Sequence, residues 1–500
     1  MEELLNSILF ILSPMPLLLV TAGTIFGIVF GAIPGLTATL AVILLIPITY
    51  GMSPSLGICM LVGVYIGGVS GGLVSAILLG MPGTPASLVT GLDGFPMAKR
   101  GEGGRALGIG ITSNLVGCIL GGICLVTLAP SLARFATQFG ALENAAVLIF
   151  GFTTVISLAG DSLLKGFIML GFGLAVSTIG IDPINSTERN TLELAALANG
   201  VDSLPALIGL FVVSQALLEM DSRSEKFIIE RTDGTKNRFM RLSEMRASIG
   251  NFIRSSVIGT AIGILPGIGG SLAGIVAYDQ AKKTAKDPET YGKGNYQGVV
   301  ASETSNNAAV AGALIPFLAL GIPGDSVTAA LMGGLQIHGL DPGPVLFLQH
   351  YQMISDVFVA YFFSSLVMFL FMMFCGTYLF PIILRVEKKY ILPLVLIFSL
   401  IGCYNMNYTL SAVWVAIIFG IIGYFLKAFN YPSVPLVIGI ILGPMFERQL
   451  RIAMIQTDGS ILPFVTEAIP LTFLTIALAS LLFALYKRRQ TAKRTGSPAE

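Results

Sequence analysis

Charged side chains are scarce in this chain. Asp, Glu, Lys and Arg make up 11% of its 500 residues, against about a quarter in an ordinary globular domain. That is too little polar surface to coat a soluble body. With 54% hydrophobic residues and a mean hydropathy of +0.83, the solvent of this fold is lipid. The formal net charge is only +1, and the Lys and Arg residues are scattered among short loops, which excludes nucleic acid as a partner. Cysteine supplies no metal or redox framework. Cys59, Cys118, Cys124, Cys375 and Cys403 lie in apolar segments without CxxC spacing and read as small core residues. The N-terminus, MEELLNSILF, lacks the positively charged first region of a cleavable signal peptide and is expected to remain in the mature protein.

What is present is apolar length and internal repetition. A bilayer core about 30 Å thick needs roughly 20 apolar residues per helix, and the stretches Ala106–Ala129 and Ala468–Tyr486 meet that requirement. The segment GAIPGLTATLA from Gly31 aligns without a gap on GILPGIGGSLA from Gly263. Further on, LGMPGTP from Leu79 aligns on LGIPGDS from Leu320. Two motifs recurring in the same order imply duplicated halves.

Loop charges predict that the halves point in opposite directions, because short cytoplasmic loops are enriched in Lys and Arg. After the second motif, the first half carries Lys99, Arg100 and Arg105, whereas His338 to Asp356 has no Lys or Arg. Between the motifs the bias reverses: Pro47 to Leu56 has none, and Asp279 to Tyr296 has Lys282, Lys283, Lys286 and Lys293. Placing the basic loops at 99–105, 221–246, 279–296, 385–389 and 487–494 inside gives a consistent topology. The expectation is an all-α integral membrane protein of two inverted-topology repeats, with about 11 crossings. Two re-entrant hairpins turn at Pro34-Gly35 and Pro266-Gly267, and crossings break mid-membrane at Pro82-Gly83 and Pro323-Gly324. The expected divisions are an interfacial segment at 1–15, repeats at 16–220 and 248–446, a cytoplasmic linker at 221–247, a final transmembrane segment at 447–486 and a cytoplasmic tail at 487–500.

Broken helices persist in hydrocarbon only where they line a cavity or are covered by protein. The four Pro-Gly breaks therefore mark a candidate site. Glycine permits the dihedrals of an unwound turn, and proline ends one half-helix while being tolerated at the start of the next. Each new half-helix presents free N–H groups and the positive end of its dipole, so an anion can be held without a buried Lys or Arg. Thr37 and Thr39, Thr84 and Ser87, and Ser326 add hydroxyl donors, while Gly269, Gly270 and Ser271 allow close backbone approach. Asp325 is ionisable inside a break; beside an anion site it is expected to serve a coupling ion, Na⁺ or H⁺, or else to cap its half-helix. Glu303, Asn306 and Asn307 stand at i, i+3 and i+4, on one helix face suited to a cavity, and Glu303 joins Asp325 as an ion-coupling candidate. Gly67, Gly68, Gly71 and Gly72 read as close helix packing. No cofactor is expected, and no metal beyond a Na⁺ near Asp325.

At these residues the chain resembles the large permease subunit of the tripartite tricarboxylate transporters, the TctA family. The resemblance covers most of residues 16–450 and rests on GAIPGLTATLA, YIGGVSGGLVSAILLGMPGTPAS, TGLDGFPMAKRGEGGRALG, LPGIGGSLAG, SETSNNAAVAGALIPFLALGIPGDS and GLDPGP. It implies a bacterial inner-membrane permease that works with a small membrane subunit and a periplasmic solute-binding protein. It also implies import of a small carboxylate such as citrate on an ion gradient, without ATP; the chain has no Walker-type phosphate loop. The charge pattern then puts the N-terminus in the periplasm and the C-terminus in the cytoplasm.

Two other functions are compatible with parts of the pattern. Helix breaks with aligned dipoles also build the filters of channels, here for an anion. Tyr278-Asp279 and Gly324-Asp325 weakly resemble the paired aspartates of intramembrane proteases. Against the protease, Asp279 opens a basic loop and Pro323 interrupts the glycine pattern. Secondary transport, without enzymatic activity, is the reading that uses all four breaks.

Overall fold

The computed structural model describes residues 2–158, 162–221, 239–267, 269–384 and 388–495. Most of the expected linker at 221–247, residues 385–387 of the basic loop at 385–389 and residues 496–500 of the expected tail lie outside them. Helix accounts for nearly all regular structure, as a chain in hydrocarbon requires, since each helix satisfies its own N–H and C=O groups. Among the described residues eight helices are long and apolar enough to cross a bilayer, which makes this a multi-pass membrane protein. Its small strand pair joins Gly180–Ile181 to Glu188–Arg189 in an antiparallel hairpin.

The matched motifs fall at matched places. In the first half, α1 (Pro14–Ala32) turns at Pro34-Gly35 into α2 (Ala38–Thr49), and α3 (Pro54–Leu78) follows. After the second break, a one-turn 3-10 segment (Pro85–Ser87) opens α4 (Leu88–Met97), which passes through a kink at Gly101 into α5 (Gly103–Ala136). In the second half, α6 (Ile249–Gly263) turns at Pro266-Gly267 into α7 (Gly269–Lys283), and α8 (Tyr296–Leu320) breaks at Pro323-Gly324 before α9 (Ser326–Gln336). Helix α10 (Tyr351–Leu370) packs on α3, and its Tyr361 hydroxyl donates to the Cys118 carbonyl of α5 at 3.2 Å.

The packing repeats with the motifs. A Cβ on Gly31 of α1 would stand 2.0 Å from the Gly68 carbonyl oxygen of α3; one on Gly263 of α6 would stand 2.4 Å from the Ala309 carbonyl oxygen of α8. Carried back without a gap along α3 and α8, the alignment pairs Gly68 with Ala309. Gly83 lies against the Gly31 carbonyl and Gly72, and its counterpart Gly324 lies against the Gly263 carbonyl and Ala313. The expected use of glycine is corrected in one respect. Gly35 and Gly267 do take positive φ, at 86° and 83°, but in the second motif the left-handed residues are Gly80 and Gly321, at 67° and 72°. There the Pro-Gly glycines are needed for close approach, which a side chain would block.

The chain forms two compact units. One is Met1–Ala133 with Glu219–Gly402, the other Arg134–Leu218 with Cys403–Glu500, so each unit draws on both halves and all four breaks belong to the first. Within the second unit, Gly173 of the Leu163–Ser177 helix packs on the backbone of Leu436 and Gly439 in the Ser433–Gln456 helix. Arg189 there forks onto the Glu447 carboxylate with two bonds of 2.5 Å, and Asp182 accepts from Arg189 at 3.2 Å and Arg451 at 2.6 Å.

Helix α8 is as long as α3, 25 residues, yet is not among the eight apolar candidates, because its stretch Ser302–Asn307 is wholly polar. None of those six side chains is more than 1% exposed. The polar run is covered by protein, as buried polar groups in a membrane protein must be.

Candidate functional site

The four breaks meet in a closed ring of contacts within the first unit. Gly83 of the second break sits on the Gly31 carbonyl, three residues before Pro34 of the first. Gly270, after the third break, packs against Ala86, after the second. The Gly267 amide donates to the Gly324 carbonyl at 2.8 Å, joining third to fourth, and the Thr39 and Ser326 hydroxyls lie 2.8 Å apart, joining fourth to first. Pro34, Pro82, Pro266 and Pro323 thus each precede a turn that is held by a neighbouring turn.

Four half-helices start at this ring, and their first N–H groups have different fates. Thr37 accepts from the Leu40 amide at 3.2 Å. At the second start the Ser87 amide donates to the Thr84 carbonyl at 3.1 Å, and the Thr84 amide donates back to the Ser87 hydroxyl at 3.3 Å. Asp325 caps α9: its Oδ1 accepts from the Val327 and Thr328 amides at 3.1 and 2.8 Å and from the Thr328 hydroxyl at 2.8 Å. Its Oδ2 accepts from the Tyr65 hydroxyl at 2.5 Å, so both oxygens are engaged. Helix α7 differs, because it opens on Gly269 and Gly270 with no side chain to fold back on its first turn. Thr37 in the first half corresponds to Gly269 in the second, and that exchange removes the side chain that caps the matching start.

Beside that start is Asn306. It is 1% exposed, and neither atom of its amide has a hydrogen-bond partner among the described residues. A Cβ on Gly270 would lie 2.3 Å from its Oδ1, so the close approach depends on glycine. The half-exposed Ser271 follows, and the ideal Cβ of Gly269 would lie 3.4 Å from the Asp325 Cβ. An anionic oxygen placed here would meet the N-terminal dipole, the backbone N–H groups of the first turn and the Asn306 amide.

The shared face expected of Glu303, Asn306 and Asn307 divides on inspection. Asn306 turns toward α7, whereas Asn307 accepts from Ser70 of α3 at 2.7 Å and donates to the Glu303 carbonyl at 3.2 Å. Glu303 is bonded to the Thr90 hydroxyl of α4. Residues three and four apart point some way to either side of one line, and with helices packed all round that angle selects different neighbours.

A family model for the tripartite tricarboxylate transporter TctA family matches residues 17–438, a span that includes every break and the polar run of α8. The chain belongs to the TctA family. Among its relatives is an uncharacterized 52.8 kDa protein from the TAR-I ttuC′ 3′ region of Agrobacterium vitis, 32% identical over 482 residues, covering 95% of this chain and 94% of that protein. An uncharacterized protein from the TAR-II ttuC′ 3′ region of the same organism is 33% identical over 233 residues, 45% of this chain and 93% of its own. No solved structure matches significantly.

Several residues of this TctA-family chain escaped the sequence reading. Tyr65 is one, a phenol inside a glycine-rich stretch that reads as packing. Asp93 is another: it is fully buried in α4, and its Oδ1 accepts from the amides of Gly292, Gly294 and Asn295 at 2.9, 2.7 and 2.8 Å, while Tyr278 donates to Oδ2 at 2.9 Å. Asn114 of α5 is fully buried with both amide atoms unpaired. The available signal was a polar run inside an apolar helix, Thr112-Ser113-Asn114 within ITSNLVG in the case of Asn114. Gly67 and Gly71 do pack closely, on the carbonyls of Thr24 and Ile28. Asp279 is exposed and paired with Lys283 at 2.6 Å, whereas Asp325 is bound by Tyr65 and its own helix, so the two carboxylates serve separate settings.

Proposed function

We propose that this chain is the large membrane subunit of a binding-protein-dependent tripartite system that imports a tricarboxylate or related small carboxylate. The observation that carries the reading is the glycine start of α7 at Gly269-Gly270 beside the buried Asn306 amide, which has no partner among the described residues, at the point where four helix breaks meet. Substrate carboxylate oxygens bind the amides of Gly269, Gly270 and Ser271 and the Asn306 side chain. Thr39 and Ser326 supply hydroxyls, and the turns at Pro34-Gly35, Pro82-Gly83, Pro266-Gly267 and Pro323-Gly324 form the walls, with Thr37, Thr84, Ser87 and Asn307 holding them in place. Membership of a tripartite family supports a small membrane subunit and a periplasmic solute-binding protein as partners.

Transport is coupled to a Na⁺ or H⁺ gradient in the bacterial inner membrane, and the ionisable groups proposed for coupling are Glu303 and Asp325. The two halves are inverted-topology repeats contributing to about 11 crossings and two re-entrant hairpins, with the N-terminus periplasmic and the C-terminus cytoplasmic; the alternating loop charges support this orientation. The test is uptake of a labelled carboxylate panel into proteoliposomes holding all three components, under imposed H⁺ or Na⁺ gradients. A carrier gives saturable uptake that needs one gradient and the binding protein; a channel passes anions without either.

A further inference from the structure

The polar run of α8 contains a buried ionisable group that the proposed substrate contacts do not use. Glu303 is fully buried, and its Oε1 is bonded to the Thr90 hydroxyl. Thr90 in turn lies 3.0 Å from the Ser302 hydroxyl, which donates to the Gly298 carbonyl at 3.0 Å. The second carboxyl oxygen, Oε2, has no hydrogen-bond partner among the described residues. Asn114 is fully buried beside the same carboxyl, one helical turn after Gly110 of α5, whose Cβ would lie 3.6 Å from the Glu303 Cγ.

The charged and titratable groups on the surrounding helices are engaged elsewhere. Tyr65 of α3 is on Asp325, Asp93 of α4 is on the 292–295 turn, and Cys118 of α5 approaches Asn307 at 3.6 Å. Arg254 of α6 is on Asn251 and Thr284, Tyr278 of α7 is on Asp93, and Tyr361 of α10 is on the Cys118 carbonyl. Among the described residues no Lys, Arg or His is paired with Glu303.

An ionised carboxylate with one hydroxyl donor and no cation is a costly species to bury. A proton on Oε2 removes the charge and turns an unpaired acceptor into a donor for the Asn114 Oδ1. With the amide turned over, Nδ2 donates to the same oxygen, so one asparagine serves both forms of the acid.

We propose that Glu303, flanked by Thr90 and Asn114, binds the proton that couples transport; this rests on the transport reading above. Glu303 precedes Asn306 by three residues, about 4.5 Å along the helix axis at 1.5 Å per residue. An ionised Glu303 therefore repels a substrate carboxylate at Asn306 through a medium of low polarity, and a neutral one does not. Proton and anion favour each other's binding, by the same factor in each direction. The only bond made and broken is the Glu303 O–H, its proton taken from solvent on one side and returned on the other. Substrate affinity is high while Glu303 is protonated and falls as rising pH ionises it.

Infrared difference spectra of the wild-type protein against Glu303→Gln, each in nanodiscs near neutral pH, read this site without substrate. The expected result is a protonated-carboxyl C=O band that disappears in Glu303→Gln and moves in Thr90→Val; absence of the band overturns the proposal. In proteoliposomes with both partner subunits and a labelled carboxylate panel including citrate, Glu303→Gln should keep substrate exchange and lose accumulation driven by a pH gradient about tenfold or more. Accumulation that survives the substitution also overturns it. Wild-type protein that exchanges no member of the panel contradicts the transport reading instead, and the infrared band then decides the proton site alone.

Discussion

Thr39 and Ser326 lie 287 positions apart and share a hydrogen bond of 2.8 Å. Each stands at the start of a half-helix in a different half of the chain. Together with the bond from the Gly267 amide to the Gly324 carbonyl, it fixes the helix starts against one another before any ligand arrives. Donors so fixed need little reordering when a carboxylate binds, which lowers the entropic cost of binding.

Asp93 anchors the opposite end of α8. Its carboxylate holds three amides of the turn that precedes Tyr296. Asp93→Asn keeps one carbonyl oxygen for the three amides but removes the charge that strengthens all three bonds, and it is expected to cost about 2 kcal/mol, more than the same change at Asp325, where Oδ1 holds two amides. Thermal unfolding in detergent checks it: the variant should melt well below wild type, and an unchanged midpoint would show that the turn is held by other means.

Asp325 and Asn are comparable helix caps, whereas Ala is not. Asp325→Asn should therefore unfold close to wild type, while Asp325→Ala should lose about 1 kcal/mol for the cap and more for the Tyr65 hydroxyl left without its acceptor. Denaturant midpoints of the two variants, measured side by side, test this order; equal midpoints would remove the cap as the role of Asp325 in folding.

Much of this was legible in the sequence, for physical reasons. The four Pro-Gly breaks announce themselves because no other residue pair stops and restarts a helix so economically, and the family motifs around them span most of the chain. Their meeting in one ring was not legible: the pairing of Thr39 with Ser326 and of Gly270 with Ala86 depends on how helices cross, which local sequence does not encode. Asp325 illustrates a limit of a different kind. Its position flagged it as ionisable, but only the structure shows that both oxygens are occupied. Asn306 and Asn307, adjacent and alike in sequence, proved unlike in setting, the first unpartnered and the second held by Ser70.

In the second unit, backbone amides of Asn185 and Ile184, with the Arg451 guanidinium, hold the Asp182 carboxyl well below the usual carboxylate range. A depressed pKa contributes stability that is fully present above the unfolded value of about 3.9 and is lost as pH falls through and below it. Protection of the 180–190 hairpin, followed by amide exchange from pH 6 downward, should weaken below about pH 4 in wild type. In Asp182→Asn the hairpin should be weak already at pH 6 and change little on acidification; a wild-type hairpin indifferent to acid would contradict this.

The most direct test of the carboxylate site is one kinetic comparison: uptake of the transported member of the carboxylate panel by wild type and by Gly270→Ala in three-component proteoliposomes. The new methyl group falls 2.3 Å from the Asn306 Oδ1, inside the space assigned to the substrate oxygen and away from Glu303 Oε1 on Thr90. The expected result is a KM raised about tenfold or more, with the protein still folded and still assembled with its partners. Wild-type KM and rate in Gly270→Ala would contradict the placement of the carboxylate at the start of α7.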